Sequence, residues 1–227
     1  AGDFDPSARG TIMISGWAPG VNPVNLAAGT AVRIPKGMRL GIQIHYAPTD
    51  KETTDQTQIG IFHADGIINK NLRVMMGDDK KMEIPAGEGN YVLTDKRTFD
   101  QDALVRFFHV HMHLRGRSYT MKFHYPDGRV ETGIEVPDYD FNWQRTYVLT
   151  EPMRVPKGTW VEFVAVYDNS AKNKFNPDPT KAVRWGEKTS DEMMQGRIFY
   201  EYVNENLNVK VVKGRAVSTA ESASKGS

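Results

Sequence analysis

The apolar residues of this chain come in short alternating runs, and no long stretch spaces them at three and four residues as a helix face requires. Val, Ile, Tyr and Phe concentrate in residues 38–46, 58–62, 91–94, 104–113, 118–125, 160–167, 197–203 and 209–212. Clusters of Gly, Pro, Asn and Asp separate them. Period-two runs bounded by turn residues predict an all-β chain folded as an antiparallel, jelly-roll-like β-sandwich. One hairpin is nearly explicit. Residues 118–125 and 129–135 flank Pro126-Asp127-Gly128, where Asp-Gly supplies the positive-φ positions of a tight turn.

At 227 residues the chain can bury a real core as one large domain or two small ones. Charge is nearly balanced, with 29 Lys and Arg against 28 Asp and Glu, so no basic footprint points to nucleic acid or an anionic membrane. No apolar run is long enough for a membrane span. Cysteine is absent, which excludes disulfides, thiolate zinc sites, a cysteine nucleophile and a blue-copper centre. The opening residues Ala1-Gly2-Asp3-Phe4 lack the basic and apolar regions of a signal peptide, so any targeting segment is expected to lie outside this chain. The small, polar residues 216–227 are expected to form a disordered tail.

Compared with itself, the chain shows a repeat. Arg33-Ile34-Pro35-Lys36-Gly37 leads to Tyr46, and Arg154-Val155-Pro156-Lys157-Gly158 leads to Tyr167 in the same number of steps. Each reads as a Pro-Lys-Gly turn feeding a buried strand. Either turn chemistry recurs by chance, or two homologous sandwiches each end in this strand. On the second reading, residues 1–60 are the terminal strands of an incomplete N-terminal domain whose remainder lies upstream. Residues 61–215 are then the complete sandwich, and the face exposed on residues 1–60 should be sticky.

Of six histidines, three fall in one run, His109-Val110-His111-Met112-His113. Alternate residues of a strand share a face about 7 Å apart, so two imidazoles can converge on one metal. Zinc would want a third ligand, for which His109 or His124 could serve. A cupin-like iron site would want Glu where Arg117 stands. Copper that cycles through Cu(I) favours a thioether beside imidazoles, and Asp191-Glu192-Met193-Met194 offers one, although Met is usually core filler. His63 and His124 read as solvent-facing. Residues 171–181, with Asn176-Pro177-Asp178-Pro179, read as a plain connecting loop rather than an oxygen-rich calcium loop.

Gln43-Ile44-His45-Tyr46, His111-Met112-His113 and Thr189-Ser190-Asp191-Glu192-Met193, in this order, resemble the copper type II, ascorbate-dependent monooxygenases. That family includes the peptidylglycine α-hydroxylating and dopamine β-monooxygenases and many bacterial relatives. Gly16-Trp17-Ala18-Pro19-Gly20 and Ile84-Pro85-Ala86-Gly87-Glu88 add to the resemblance, as does the stretch from Asp168-Asn169-Ser170 to Trp185-Gly186, and it spans residues 16–205. It implies two sandwich domains, each with a copper. His45 would be one of three histidines holding an electron-transfer copper. His111, His113 and Met193 would hold the copper that activates O2 for attack on a substrate C–H bond. Met194 stands where the animal enzymes have Cys, which favours Met193 as the ligand. Ascorbate would supply electrons, Gln43 would lie on a route between the coppers, and the protein would work outside the cytoplasm, in the periplasm or secreted.

Departures from the family pattern are informative. No histidine precedes His45, so the chain carries at most one third of an electron-transfer site and should show little coupled hydroxylation alone. The Arg that holds a peptide carboxylate in the amidating enzyme is replaced by His109, which argues against a peptidyl-glycine substrate. His109 is expected to contact substrate or lie on the surface, and Gln195 and Arg197 to shape a different small-molecule pocket. The alternatives are a non-catalytic copper-binding or carbohydrate-type sandwich module, and a zinc hydrolase using His109, His111 and His113.

Overall fold

The computed structural model describes residues 13–18, 20–46 and 50–217. Pro19 of the Gly16–Gly20 motif and the tail beyond Val217 lie outside the described residues, as does Ala1–Phe4. Among the described residues there are strands, turns and loops but no helix. The early strands are β1 (Thr30–Ala31), β2 (Gly66–Ile68), β3 (Lys70–Asn71), β4 (Arg73–Asp78), β5 (Glu83–Ile84) and β6 (Tyr91–Thr98). Next come β7 (Ala103–His111), β8 (Gly116–His124), β9 (Val130–Val136), β10 (Thr146–Val155) and β11 (Trp160–Tyr167). The last are β12 (Val183–Arg184), β13 (Gln195–Tyr202), β14 (Val209–Val212) and β15 (Arg215–Ala216).

Two four-stranded antiparallel sheets, ordered β10-β7-β13-β4 and β6-β11-β8-β9, enclose the core. Alternation explains the second sheet directly. On β11, Val161, Phe163, Ala165 and Tyr167 are wholly buried, and their sequence neighbours face outward. On β8, Tyr119, Met121 and Phe123 do the same, and Phe163 stands opposite Met121. Val105, Phe108, Val110, Ile198 and Tyr200 supply the facing layer from β7 and β13. Burying each large side chain is worth about 1.5–3 kcal/mol. Where facing layers come closest, glycine makes room, since a Cβ at Gly196 would lie 2.5 Å from the Tyr119 hydroxyl and 2.8 Å from the Phe163 ring.

Strand β7 does not keep one parity. Ala103 and Val105 face the core, but so do Phe108, Val110 and Met112. The pairing explains this. Tyr200 stands opposite Val105 and Phe199 opposite Phe107, so Arg106 is an extra residue with no partner on β13. This β-bulge reverses the faces of everything downstream. It places Phe107, His109 and His111 on the outer face, opposite Phe199, Arg197 and Gln195 respectively.

The predicted hairpin is present. Gly128 has φ 87°, its N–H donates to the Tyr125 carbonyl at 3.0 Å, and β8 pairs with β9. The two Pro-Lys-Gly sequences also form the same turn. Gly37 and Gly158 have φ 89° and 85°, and Met38 and Thr159 donate to the carbonyls of Pro35 and Pro156 at 3.3 and 3.2 Å. Beyond the turns the two segments diverge. The second turn feeds β11, held between β6 and β8. Residues 38–46 and 58–62, expected as strands, form none, because no described strand offers them a ladder. Leu40, Ile42, Ile44 and Tyr46 remain 57, 52, 42 and 65% exposed.

Residues 24–31 instead lie across the outer face of the β7 sheet. Thr30 donates to Glu201 at 3.0 Å, β1 runs parallel to β3, and the Gly29 carbonyl accepts from Asn69 at 2.8 Å. A cavity of about 210 Å³ remains beneath this segment, between Leu26 and Phe107. At the other end of the described chain, Ala216 pairs with Val211, so ordered structure runs one residue into the stretch expected to be a tail.

Candidate metal centre

The strand character of His109-Val110-His111-Met112-His113 ends at His111, and His113 belongs to the turn leading into β8. Tyr139 sets this boundary. Its hydroxyl donates to the Met112 carbonyl at 2.6 Å and accepts from the Met112 N–H at 3.0 Å, occupying both groups that a neighbouring strand would use. The expectation that His109, His111 and His113 share one strand face is therefore corrected. His109 and His111 share it, and His113 is brought beside His111 by the turn. The rings of His111 and His113 meet edge to face with centroids 5.1 Å apart.

Both imidazoles are oriented from behind. His111 Nδ1 lies 2.6 Å from Gln144 Oε1, and Gln144 uses its own amide nitrogen on the Phe141 carbonyl. His113 Nδ1 lies 3.1 Å from the Asp191 carbonyl oxygen. Carbonyl oxygens only accept, so each Nδ1 carries the hydrogen and each Nε2 keeps a lone pair. Burial holds His111 in its neutral form, with its pKa lowered to about 3 against the opposing pull of Gln144. His113 is lowered as well, first by burial, with the charge of His45 acting in the same direction. Two imidazoles with tethered Nδ1 hydrogens leave two Nε2 lone pairs side by side, which could be offered to a metal ion.

The Met193 backbone is tied to this place through Glu192. This carboxylate is completely buried. Its Oε2 accepts from the His113 N–H at 2.8 Å and from the Met193 N–H at 3.2 Å, so a single oxygen joins the two segments. Oε1 accepts from the Arg115 N–H at 2.6 Å. Burial raises the Glu192 pKa to about 7 against those three donors. Arg115, itself buried, donates to Asn169 and to the Ser190 carbonyl, which ties down the loop carrying Glu192. The Met193 carbonyl accepts from the buried Tyr167 hydroxyl at 2.9 Å.

Beyond Met193, Gln195 stands opposite His111 and donates its amide to the Met193 sulfur at 3.6 Å. Arg197 donates to the Gln195 side-chain oxygen, fixing which way that amide faces. Burial lowers the Arg197 pKa to about 10, so it stays cationic at neutral pH, and its Nε has no hydrogen-bond partner. His109 stands directly opposite Arg197. It is 8% exposed, so it is not the surface residue that was one of its two expected roles. Burial, then the Arg197 charge, lower its pKa to about 4.

Among the described residues, the other expected ones make no hydrogen bond to this cluster, although His45 lies near enough for its charge to act on His113. Gln43 donates to Glu187 at 2.8 Å and is exposed, and His45 is exposed in a segment without strand structure. His63 is solvent-facing as expected, but His124 is half-buried, stacked on Trp160 at 3.6 Å. Residues 171–181 form a loop of side-chain-capped turns in which Asn176 and Asp178 accept from nearby backbone N–H groups. Among the described residues no three of His, Asp and Glu converge as a metal-binding group, so His109 does not complete a three-histidine zinc site.

Sequence reasoning does not find four of the groups that build the centre. Gln144 and Tyr139 lie in an irregular loop with no periodicity to mark them. Tyr167 reads only as another buried strand residue. Glu192 stands in the polar run Lys188-Thr189-Ser190-Asp191-Glu192, and as a member of a motif it gives no sign of being a buried clamp. No model of a known protein family matches this chain, and no curated protein matches it.

Proposed function

We propose that the sandwich is the O2-activating domain of a copper-dependent monooxygenase that hydroxylates a C–H bond of a small substrate, with ascorbate as the reductant. The observation that carries this reading is one oxygen, Glu192 Oε2, which draws the Met193 backbone to that of His113 beside two imidazoles whose Nε2 atoms are free. A copper held there would supply one-electron chemistry with O2. Two imidazoles and a thioether suit a metal that cycles through its reduced, softer state. His111 and His113 would present Nε2, and Met193 its sulfur. Gln195, Arg197 and His109 would line the substrate side, where a fixed cation and two polar groups can orient a small molecule. His45 would contribute to an electron-transfer copper, with Gln43 between the two metals. On this reading the protein works outside the cytoplasm.

X-ray absorption of the Cu(I)-loaded chain tests this. The wild type should show a sulfur scatterer that disappears in Met193→Leu. A wild-type spectrum with nitrogen ligands only would overturn the assignment. The exposed position of His45, away from any strand, favours a second reading, a copper-binding module without turnover. Ascorbate-driven O2 consumption separates the two, since a binding module would show none above free copper.

A further inference from the structure

Met193 is gripped at both of its backbone polar atoms by buried side chains from different parts of the sandwich. Its N–H donates to Glu192 Oε2 at 3.2 Å, and its carbonyl accepts from the Tyr167 hydroxyl at 2.9 Å. Tyr167 ends β11, in the sheet on the far side of the core, and both side chains are 0% exposed. The Glu192 backbone is fixed as well, its N–H donating to Arg184 and its carbonyl accepting from Gly186, both at 3.1 Å. The peptide groups on either side of the Met193 Cα are therefore held before any ligand arrives. The carboxylate also holds His113 and Arg115 by their N–H groups, so the turn carrying one imidazole cannot shift without releasing the segment carrying the thioether.

We propose that Glu192 and Tyr167 are positioning residues that set the distance of the Met193 sulfur from the two imidazole Nε2 atoms, and so decide whether the thioether joins the ligand set. This rests on the copper reading above. Neither side chain would be a ligand, since both are spent on backbone groups. Tyr167 acts on the backbone of Met193 alone, and Glu192 holds the backbones of both Met193 and His113, whereas the two imidazole rings are oriented separately, by Gln144 and by the Asp191 carbonyl. Loosening the clamp should therefore affect sulfur more than nitrogen. Coordination by side chains with fixed supports is sensitive to such partners, and losing one typically lowers metal affinity about 10–100-fold.

The test uses the full chain carrying Glu192→Gln or Tyr167→Phe. In Glu192→Gln an amide nitrogen replaces one acceptor, so either the Arg115 bond or the shared His113 and Met193 bonds are lost. In Tyr167→Phe only the hydroxyl is lost and the ring volume is kept, which leaves a folded variant even where Glu192→Gln fails to fold. Cu(I) X-ray absorption should show the two nitrogen ligands retained and the sulfur contribution reduced by at least half, with Cu(I) affinity about tenfold weaker. A folded variant that retains the full sulfur contribution and wild-type affinity overturns the proposal. Metal-free protein gives a second readout, the mobility of the Met193 methyl group by NMR. It should rise in both variants, and an unchanged mobility overturns the clamp whatever the metal does. A wild-type Cu(I) spectrum without sulfur, together with a methyl mobilised in the variants, would sink the copper reading and leave the clamp standing.

Discussion

Replacing Tyr139 by Phe isolates the device that ends β7 between the two histidines. The ring should stay in place, because it packs against Gly116, where an added Cβ would come within 2.9 Å of the ring, and its backbone N–H is fixed to the Arg117 carbonyl at 2.9 Å. No cavity opens, so the loss is confined to the hydroxyl. Two hydrogen bonds to Met112 vanish, and Met112 is 0% exposed, so water cannot replace them without opening the turn. An unsatisfied buried N–H costs about 1–3 kcal/mol and the second bond contributes about 1 kcal/mol, which gives roughly 2–4 kcal/mol in all. For a domain of this size, each kcal/mol moves the melting temperature by about 2–4 °C, so calorimetry should show a drop of roughly 4–16 °C. Hydrogen exchange at the Met112 amide should accelerate more than at Val161 in the middle of β11. A variant that melts within about 1 °C of wild type, with Met112 equally protected, would refute the idea that this hydroxyl sets the strand end.

Three further outcomes are expected. Gln144→Leu removes the acceptor behind His111 Nδ1 and should weaken Cu(I) binding about 10–100-fold. Unchanged affinity in a titration against a chelator would show that Gln144 does not orient the ring. Gly196→Ala drives a methyl into the Tyr119 hydroxyl and the Phe163 ring, both fully buried, and should cost about 1–3 kcal/mol. The urea midpoint should fall with the slope unchanged, and an unshifted midpoint would mean that the facing sheets can yield. Glu205 is bonded by Arg73 at 2.6 and 3.0 Å and by the Asn71 N–H at 2.8 Å, which holds its carboxyl below the usual value, with Arg73 the first cause. Because the folded value is the lower one, this stabilisation is present above about pH 4.5 and is lost as pH falls through the folded value. Unfolding free energies of wild type and Glu205→Gln should therefore differ at neutral pH and converge in acid, and parallel curves would contradict the linkage.

Legibility in the sequence tracks the range over which each interaction acts. The β8–β9 hairpin and both Pro-Lys-Gly turns are local, and Gly128, Gly37 and Gly158 adopt the positive φ their neighbours suggest. The burial of β11 was legible because β6 pairs with it residue for residue and β8 does so as far as Val166, which preserves its alternation. Residues 38–46 alternate just as well, but alternation marks a face and says nothing of whether a partner strand stands beside it. At the site, His111, His113 and Met193 could be picked out by residue type and by family resemblance. Their supports could not, since Gln144 acts across 33 residues and the Glu192–His113 bond spans 79. The turn that moves His113 off the strand depends on Tyr139, 27 residues from Met112.

The unpaired Arg106 gives the site an arithmetic origin. With strict alternation from Ala103 and Val105, positions 107, 109 and 111 would point into the core, and Phe108, Val110 and Met112 would face outward. Two imidazoles would then lie among buried aromatics, and a hydrophobic strip would replace the face that carries His109 and His111. Whether this strand offers its imidazoles to a ligand or buries them in the core is thus decided by a count of residues upstream of the histidines, not by the histidines themselves. Among related sequences, a gain or loss of one residue in the first half of this strand would be a larger functional event than most substitutions within the site.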